Sequence, residues 1–241
     1  MERPVETIVT NVRGTETVLA AAARSGTRVL LASTSEVYGK GIRYPFAEDD
    51  DVVLGPTSRR RWAYAASKLL DEFYCFAYRD EVQLPAIPFR LFNTVGARQT
   101  GRYGMVIPRF VRQALDGEPI TIYGDGTQRR CFCDVRDVVE AIVGLLDRTD
   151  APVQVYNIGG TEEVTIRELA ERIRAVTNSA SPIVTLSYDE VYPPGFEDMV
   201  RRVPSTERIR DLLGWRPRHS LDDIIESVVA YERTSQARSS G

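Results

Sequence analysis

Within residues 28–33, Arg28-Val29-Leu30-Leu31-Ala32-Ser33, the four positions from Val29 to Ala32 carry apolar side chains in succession. A strand with one wet face would alternate. This run reads instead as a strand buried on both faces, as in a parallel sheet covered by helices. A helical pattern precedes it: Ile8, Val12, Thr15, Val18, Leu19 and Ala22 recur at three- and four-residue spacing between Val5 and Arg24. Pro4 suits the first turn of that helix, and Ser25-Gly26 supplies its stop. After the strand comes a polar stretch to about Arg61, long enough to suggest a lid or binding loop. Trp62 to Arg79 then reads as a helix apolar almost all round, buried against more than one neighbour within the domain or at a subunit interface.

Strand and helix patterns keep alternating. Strands are expected at Ala86–Phe92, Pro119–Tyr123, Arg130–Asp134, Val153–Ile158 and Ile183–Ser187, with Gly124-Asp125-Gly126 turning the second into the third. Helices are expected at Pro108–Leu115, Val135–Leu146, Ser205–Leu213 and Leu221–Tyr231. Thr165 and Glu168 form a capping box for one more helix, ending near Val176. A Pro/Gly-rich loop, Tyr192-Pro193-Pro194-Gly195-Phe196, follows the last strand, and the polar tail from Thr234 is expected to fray. The order points to an α/β doubly wound fold.

Bulk properties exclude several classes. Net charge is −3, so no general electrostatic attraction to nucleic acid or membranes operates. The three cysteines, Cys75, Cys131 and Cys133, do not make a disulfide framework. Cys131 and Cys133 alternate on an expected strand and read as two buried thiols rather than metal ligands, because the sole histidine, His219, lies far off in sequence. No apolar run approaches membrane-spanning length and no signal pattern opens the chain, which makes the cytoplasm the default location.

The chemistry concentrates between Val29 and Lys68. Tyr64 and Lys68 are four apart on a helix and share a face. A free phenol has a pKa of about 10 and needs help to act as a base near neutrality. A neighbouring ammonium gives that help by stabilising the phenolate. The Thr34 hydroxyl, at the strand end, is placed to align a substrate oxygen. Glu36, two residues on along an extended segment, faces the same side and offers a carboxylate to move a proton at a neighbouring carbon.

The stretches Ser33-Thr34-Ser35-Glu36-Val37-Tyr38-Gly39 and Tyr64-Ala65-Ala66-Ser67-Lys68 resemble the extended short-chain dehydrogenase/reductase family of nucleotide-sugar epimerases, dehydratases and decarboxylases. Further matches are Asn11-Val12-Arg13-Gly14-Thr15, Arg90-Leu91-Phe92-Asn93-Thr94-Val95-Gly96, Tyr123-Gly124-Asp125-Gly126-Thr127-Gln128-Arg129-Arg130, Arg202-Val203-Pro204 and Leu213-Gly214-Trp215-Arg216-Pro217. The resemblance implies NAD as cofactor and Thr34, Tyr64 and Lys68 as the catalytic triad, with Tyr64 and Lys68 at the nicotinamide ribose. It implies Asn93, Arg130 and Arg202 as ligands of a sugar-nucleotide diphosphate, and Tyr123 beside the nucleobase in a nucleotide-clamping hairpin. Guanidinium forks suit phosphate oxygens. It also implies a partial Rossmann domain over 1–98 and 132–150, an interleaved nucleotide-sugar domain over 99–131 and 151–241, and pairing of the first two helices in a homodimer.

The implied reaction oxidises the sugar 4-hydroxyl to a ketone. Epimerisation, decarboxylation or dehydration then follows. Thr34-Ser35-Glu36 resembles the decarboxylases and the GDP-mannose type of dehydratase, and the Trp62 context and Arg129-Arg130-Cys131-Phe132 lean toward the UDP-glucuronate decarboxylases, with UDP-sugar 4-epimerase left open. The family's strand, glycine-rich turn and helix, which receive the dinucleotide pyrophosphate, have no counterpart here: Gly14, Gly26, Gly39 and Gly41 do not make the pattern. The Rossmann-like parallel sheet is therefore expected to be incomplete, with weak NAD binding and little turnover. A misplaced start of a longer enzyme is one explanation. A non-catalytic relative that binds a nucleotide sugar or a protein partner is the other.

Overall fold

The computed structural model describes residues 3–101, 105–192 and 197–239. The chain divides into two compact units. One comprises Met1–Phe92, Val139–Gly159 and Pro204–Arg216; the other comprises Asn93–Val138, Gly160–Val203 and Pro217–Gly241.

In the first unit, α1 (Pro4–Ser25) begins at its proline and ends at Gly26, whose left-handed backbone returns its N–H to Ala22 O. Strand β1 (Val29–Thr34) runs parallel to β2 (Ala86–Leu91), and β2 runs parallel to β7 (Tyr156–Ile158), giving the order β1-β2-β7. Helix α2 (Arg61–Val82) packs on α1, β1 and β2. Leu19, Ala22, Cys75, Leu84 and Ala86 form the core between them. Strand β7 belongs here because its ladder partner is β2, and α7 (Glu207–Leu213) follows it because it packs on β7. The expected boundaries put both segments with the nucleotide-sugar part; strand pairing puts them in the first unit.

Two expectations need correcting. Strand β1 is not buried on both faces: of its six residues only Ser33 is buried, and Ala32 is exposed. Among the described residues β1 pairs with β2 alone, so its other edge receives no ladder. Nor is α2 apolar all round. It buries Ser67, Asp71 and Glu72 beside Trp62, Ala65 and Cys75, while Leu70 and Phe73 are exposed.

The polar stretch after β1 is pinned rather than loose. Gly39 bridges to Val53 and Phe46 bridges to Pro204. At Gly39, with φ +59°, a Cβ would lie 2.2 Å from Val53 O, so only glycine fits. The Phe46 ring stacks on Tyr38 at 4.5 Å.

The second unit contains short sheets and helices. Its strands are β3 (Thr94–Val95), β4 (Ile120–Tyr123), β5 (Arg129–Cys131), β6 (Cys133–Asp134), β8 (Glu163–Thr165), β9 (Ile183–Leu186) and β10 (Arg201–Arg202). Its helices are α3 (Val106–Leu115), α5 (Ile166–Thr177), α6 (Tyr188–Val191) and α8 (Leu221–Ser239); α4 (Val135–Asp147) starts here and continues into the first unit. Residues of α3, β4, α5 and α8, including Phe110, Ile122, Leu169, Ile173 and Ile225, build one hydrophobic core. The capping box of α5 forms as expected: Glu168 N–H donates to Thr165 Oγ1 at 3.1 Å and Thr165 N–H to Glu168 Oε2 at 2.8 Å.

The expected hairpin across Gly124-Asp125-Gly126 does not form. Strand β4 pairs in parallel with β9, whereas β5 pairs with β8 and β10. Both glycines have positive φ and turn the chain out of one sheet and into the other. The expected strand at 130–134 is split at Phe132 into β5 and β6. Helix α8 runs on to Ser239 where fraying was expected, with Thr234 Oγ1 donating to Ala230 O. Pro193–Phe196 of the expected Pro/Gly-rich loop lie outside the described residues. Among those described, no helix is long and apolar enough to cross a membrane, and no cluster of His, Cys, Asp and Glu is placed to hold a metal ion.

Candidate active site

Thr34 ends β1 at the carboxyl edge of the parallel sheet, where open α/β sheets receive ligands. Its Oγ1 accepts the Glu36 N–H at 3.2 Å and caps a single 3-10 turn, Ser35–Tyr38. Glu36 therefore sits on a turn and not on an extended segment. The capped turn, rather than strand alternation, sets its direction. The Glu36 carboxylate lies 3.5 Å from the Arg61 guanidinium, which sits over the Trp62 ring at 5.3 Å from its centroid.

Tyr64 and Lys68 lie one helical turn apart on α2, which packs on both β1 and the 3-10 turn. Lys68 Nζ donates to Asp71 Oδ2 at 2.7 Å, and Asp71 is fully buried. An ammonium has three donors, so this bond leaves two. Asn11 Nδ2 donates to Ser67 Oγ at 2.9 Å and ties α1 to the same helix. Lys68 and Asp71 line a cavity of about 280 Å³ with Asn11 and Gly14 of α1 and Val29–Ala32 of β1.

Beneath these groups lies a buried network that the sequence reading missed. Arg90 of β2 donates to both carboxylate oxygens of Glu72, at 3.0 and 2.8 Å, and Ser33 Oγ also donates to Glu72. Arg90 also donates to Glu48 O at 3.1 Å and sits over the Tyr38 ring, 4.6 Å from its centroid. Tyr38 donates to Asn157 Oδ1 at 2.8 Å, and burial pushes its phenol up to about 12. Tyr38 is thus no base near neutrality. Glu72 follows Lys68 by one turn and Ser33 precedes Thr34, so the Ser33–Glu72–Arg90 contacts fix the strand end against the helix.

The second unit gathers the other anticipated residues. Asn93, with φ +32°, donates from Nδ2 to Cys131 O at 2.7 Å and accepts at Oδ1 from Arg202 Nη2 at 2.9 Å. Arg202 is in register with Arg130 across the parallel β10–β5 pair. Arg130 is buried and pairs with Asp198 at 2.9 Å. Their neighbours differ: Arg201 makes a bidentate pair with Glu163 at 2.6 and 2.8 Å, and Arg129 is exposed. Tyr123 ends β4, with the Arg109 guanidinium 3.9 Å from its ring centroid and Tyr192 edge-on at 5.8 Å. Asn93, Arg130 and Arg202 are thus brought together, with Tyr123 in the same unit. Arg109 carried no sequence signal beyond a charge on the first turn of an amphipathic helix.

The sequence profile of the NAD dependent epimerase/dehydratase family matches residues 1–159. The chain is 41% identical over 234 residues to a UDP-N-acetyl-alpha-D-glucosaminuronate decarboxylase of Bacillus cytotoxicus, covering 97% of itself and 72% of that protein. It is 37% identical over 232 residues to UDP-glucuronic acid decarboxylase 1 of Danio rerio, covering 96% of itself and 53% of that protein. It superposes on a UDP-glucuronic acid 4-epimerase of Bacillus cereus, solved with UDP-glucuronic acid and NAD, with a TM-score of 0.82 at 27% identity, covering 94% of itself and 68% of that chain.

Proposed function

The chain belongs to the NAD dependent epimerase/dehydratase family, and from that premise we propose that it serves oxidation of a UDP-linked uronic acid at its 4-hydroxyl, followed by loss of the carboxyl group. The observation that carries this is the constellation at the β1 carboxyl end: Thr34 on the strand terminus, Glu36 on the capped turn beside Arg61, and Tyr64 and Lys68 on one face of α2. The decarboxylases among its relatives favour release of carbon dioxide over epimerisation.

Tyr64 takes the proton of the 4-hydroxyl, and the Lys68 ammonium favours the phenolate that does so. Thr34 holds the same oxygen in line. NAD, when bound, supplies the hydride acceptor. The 4-ketone then stands beta to the sugar carboxylate. The bond to that carboxylate breaks, carbon dioxide leaves, and the electron pair passes into an enolate. Glu36 delivers a proton to the carbon that lost it. Asn93, Arg130 and Arg202 hold the diphosphate, and Tyr123 flanks the nucleobase. Lys68 and Tyr64 suit the ribose next to the nicotinamide: Asp71 Oδ1 is buried without a hydrogen-bond partner, so a donor and an unmet acceptor stand together at the cavity beside α1 and β1.

Among the described residues no parallel strand leads through a glycine-rich turn into a helix, and no such pattern is found in the sequence. The residues present fit the ribose end of the cofactor and form no cradle for its pyrophosphate. A second reading is a nucleotide-sugar-binding protein without turnover. Homodimerisation through α1 and α2 belongs to the reading too, since Val5, Ile8, Val9, Leu70 and Phe73 are exposed there, as does a cytoplasmic location.

The test is to incubate the purified chain with NAD and UDP-glucuronate, or its N-acetylated counterpart, and measure carbon dioxide. Tyr64→Phe is expected to lower the rate by about 10²-fold or more. Carbon dioxide release undiminished in Tyr64→Phe would refute the assigned base. Binding of the nucleotide sugar with no release would favour the second reading.

A further inference from the structure

Arg61 stands next to the assigned base, in the first unit. It opens α2, and Tyr64 follows it by three residues, so the two side chains are neighbours on one face of the helix. Its guanidinium lies 3.5 Å from the Glu36 carboxylate, and both side chains are partly buried. It also rests over the Trp62 ring, 5.3 Å from the centroid, and Lys40 Nζ reaches the same ring at 5.8 Å. That shelf is fixed. Trp62 is buried, and its edge packs so closely on the Gly55 backbone that a Cβ there would lie 2.0 Å from Nε1. Helix stability does not account for the cation. Arg61 follows Arg59 and Arg60, and positive charge at the start of a helix opposes the helix dipole.

The chemistry of a uronic acid fits this spacing. Its carboxylate sits on the carbon next to the one that carries the 4-hydroxyl. When Tyr64 holds the 4-oxygen, the carboxylate falls within reach of a residue one helical turn away, since side chains three apart start about 5–6 Å from each other. A guanidinium fork matches a carboxylate with paired hydrogen bonds. A sugar carboxylate entering without a cation would meet Glu36, a like charge, in a partly buried place where repulsion is strong. A guanidinium carries five N–H donors and serves two carboxylates at once. A neutral hexose offers it no anion. We propose that Arg61 is a specificity-determining residue: it binds the carboxylate of the sugar and so selects a uronate over a neutral hexose.

This deepens the proposed oxidation of a UDP-linked uronic acid and rests on it, and the two fail differently. Binding of UDP-glucuronate and of UDP-glucose is measured calorimetrically on the whole chain, without added NAD, for the wild type, Arg61→Met and Arg61→Lys. The wild type is expected to bind UDP-glucuronate the more tightly. Arg61→Met is expected to weaken UDP-glucuronate about tenfold or more, the range for a charged hydrogen bond, and to leave UDP-glucose unchanged. Arg61→Lys, which keeps the charge and loses the planar fork, is expected to fall between the two. If Arg61→Met weakens both ligands alike, Arg61 serves the diphosphate or the fold and the inference is overturned. It is overturned equally if neither ligand is weakened. A wild type that binds UDP-glucose at least as tightly as UDP-glucuronate would overturn the selection of a uronate and leave nucleotide-sugar binding standing. A wild type that binds neither would overturn both together. Urea unfolding shows whether each variant is folded, and Arg61→Lys carries the same test if Arg61→Met is not.

Discussion

Replacing Arg90 by methionine removes the cation from a pair whose side chains are only 5% and 3% exposed. The Glu72 carboxylate stays behind, buried, with Ser33 Oγ as its remaining donor in the network. Breaking a buried pair from one side costs about 3–5 kcal/mol, because the abandoned charge is unpaired. The lost stacking on Tyr38 adds roughly 0.5–2 kcal/mol. Against a total stability of about 5–15 kcal/mol, a combined loss of roughly 3.5–7 kcal/mol is a large fraction. Removing both charges is different: Arg90→Met with Glu72→Leu leaves no orphan charge and is expected to recover most of the loss. Ser33→Ala, added to the pair, removes the hydroxyl that then lacks its acceptor. Urea unfolding followed by tryptophan fluorescence is the assay, and Trp62 and Trp215 are both buried in the first unit. The midpoint should fall steeply in Arg90→Met and return toward wild type in the double variant, with an unchanged slope. If the double variant is as unstable as the sum of its singles, the network is not a compensated charge pair and the reasoning fails.

Glu48 is buried beside Asn157, and burial raises its pKa. A raised folded-state pKa favours folding most below the unfolded value and loses that benefit as pH rises through the folded one. Wild type should therefore lose stability relative to Glu48→Gln as pH rises above about 4, the usual carboxylate range; parallel curves would contradict the desolvation. Burial pushes the Cys75 and Cys131 thiols up to about 12 and raises Cys133 further, so native protein should resist a thiol reagent at pH 8 and react at all three sites in denaturant. Phe73 is 61% exposed on α2, and Phe73→Asp should leave the fold intact while shifting sedimentation toward monomer; an unchanged dimer would place the interface elsewhere.

Local chemistry was the legible part. Thr165 and Glu168 announced their helix, Pro4 and Gly26 bounded α1, and the four-residue spacing of Tyr64 and Lys68 survives on α2. Long-range partners were not legible. Asp71 and Glu72 are charged residues buried on α2, and it takes Lys68 together with the distant Ser33 and Arg90 to explain their burial. The hairpin expectation failed because β4 takes β9, far along the chain, as its partner, while β5 takes β8 and β10. Turn residues specify a bend; they do not say which strand lies beside the one that enters it.

The chain crosses between its two units at 92/93, 138/139, 159/160, 203/204 and 216/217. This threading bears on how the protein is made. Domains usually fold as units while synthesis proceeds from the N-terminus. Here the first unit needs β7 at 156–158 to flank β2, and then the 204–216 segment. The second needs α8, whose Ile224, Ile225 and Val228 complete its core. Neither has all its parts until nearly the whole polypeptide has left the ribosome. Until β7 is made, the edge of β2 that it will pair with stands open, an exposed template for pairing. Co-translational folding should yield little protease-resistant material from nascent chains that stop before residue 204, and the two units should gain resistance almost together.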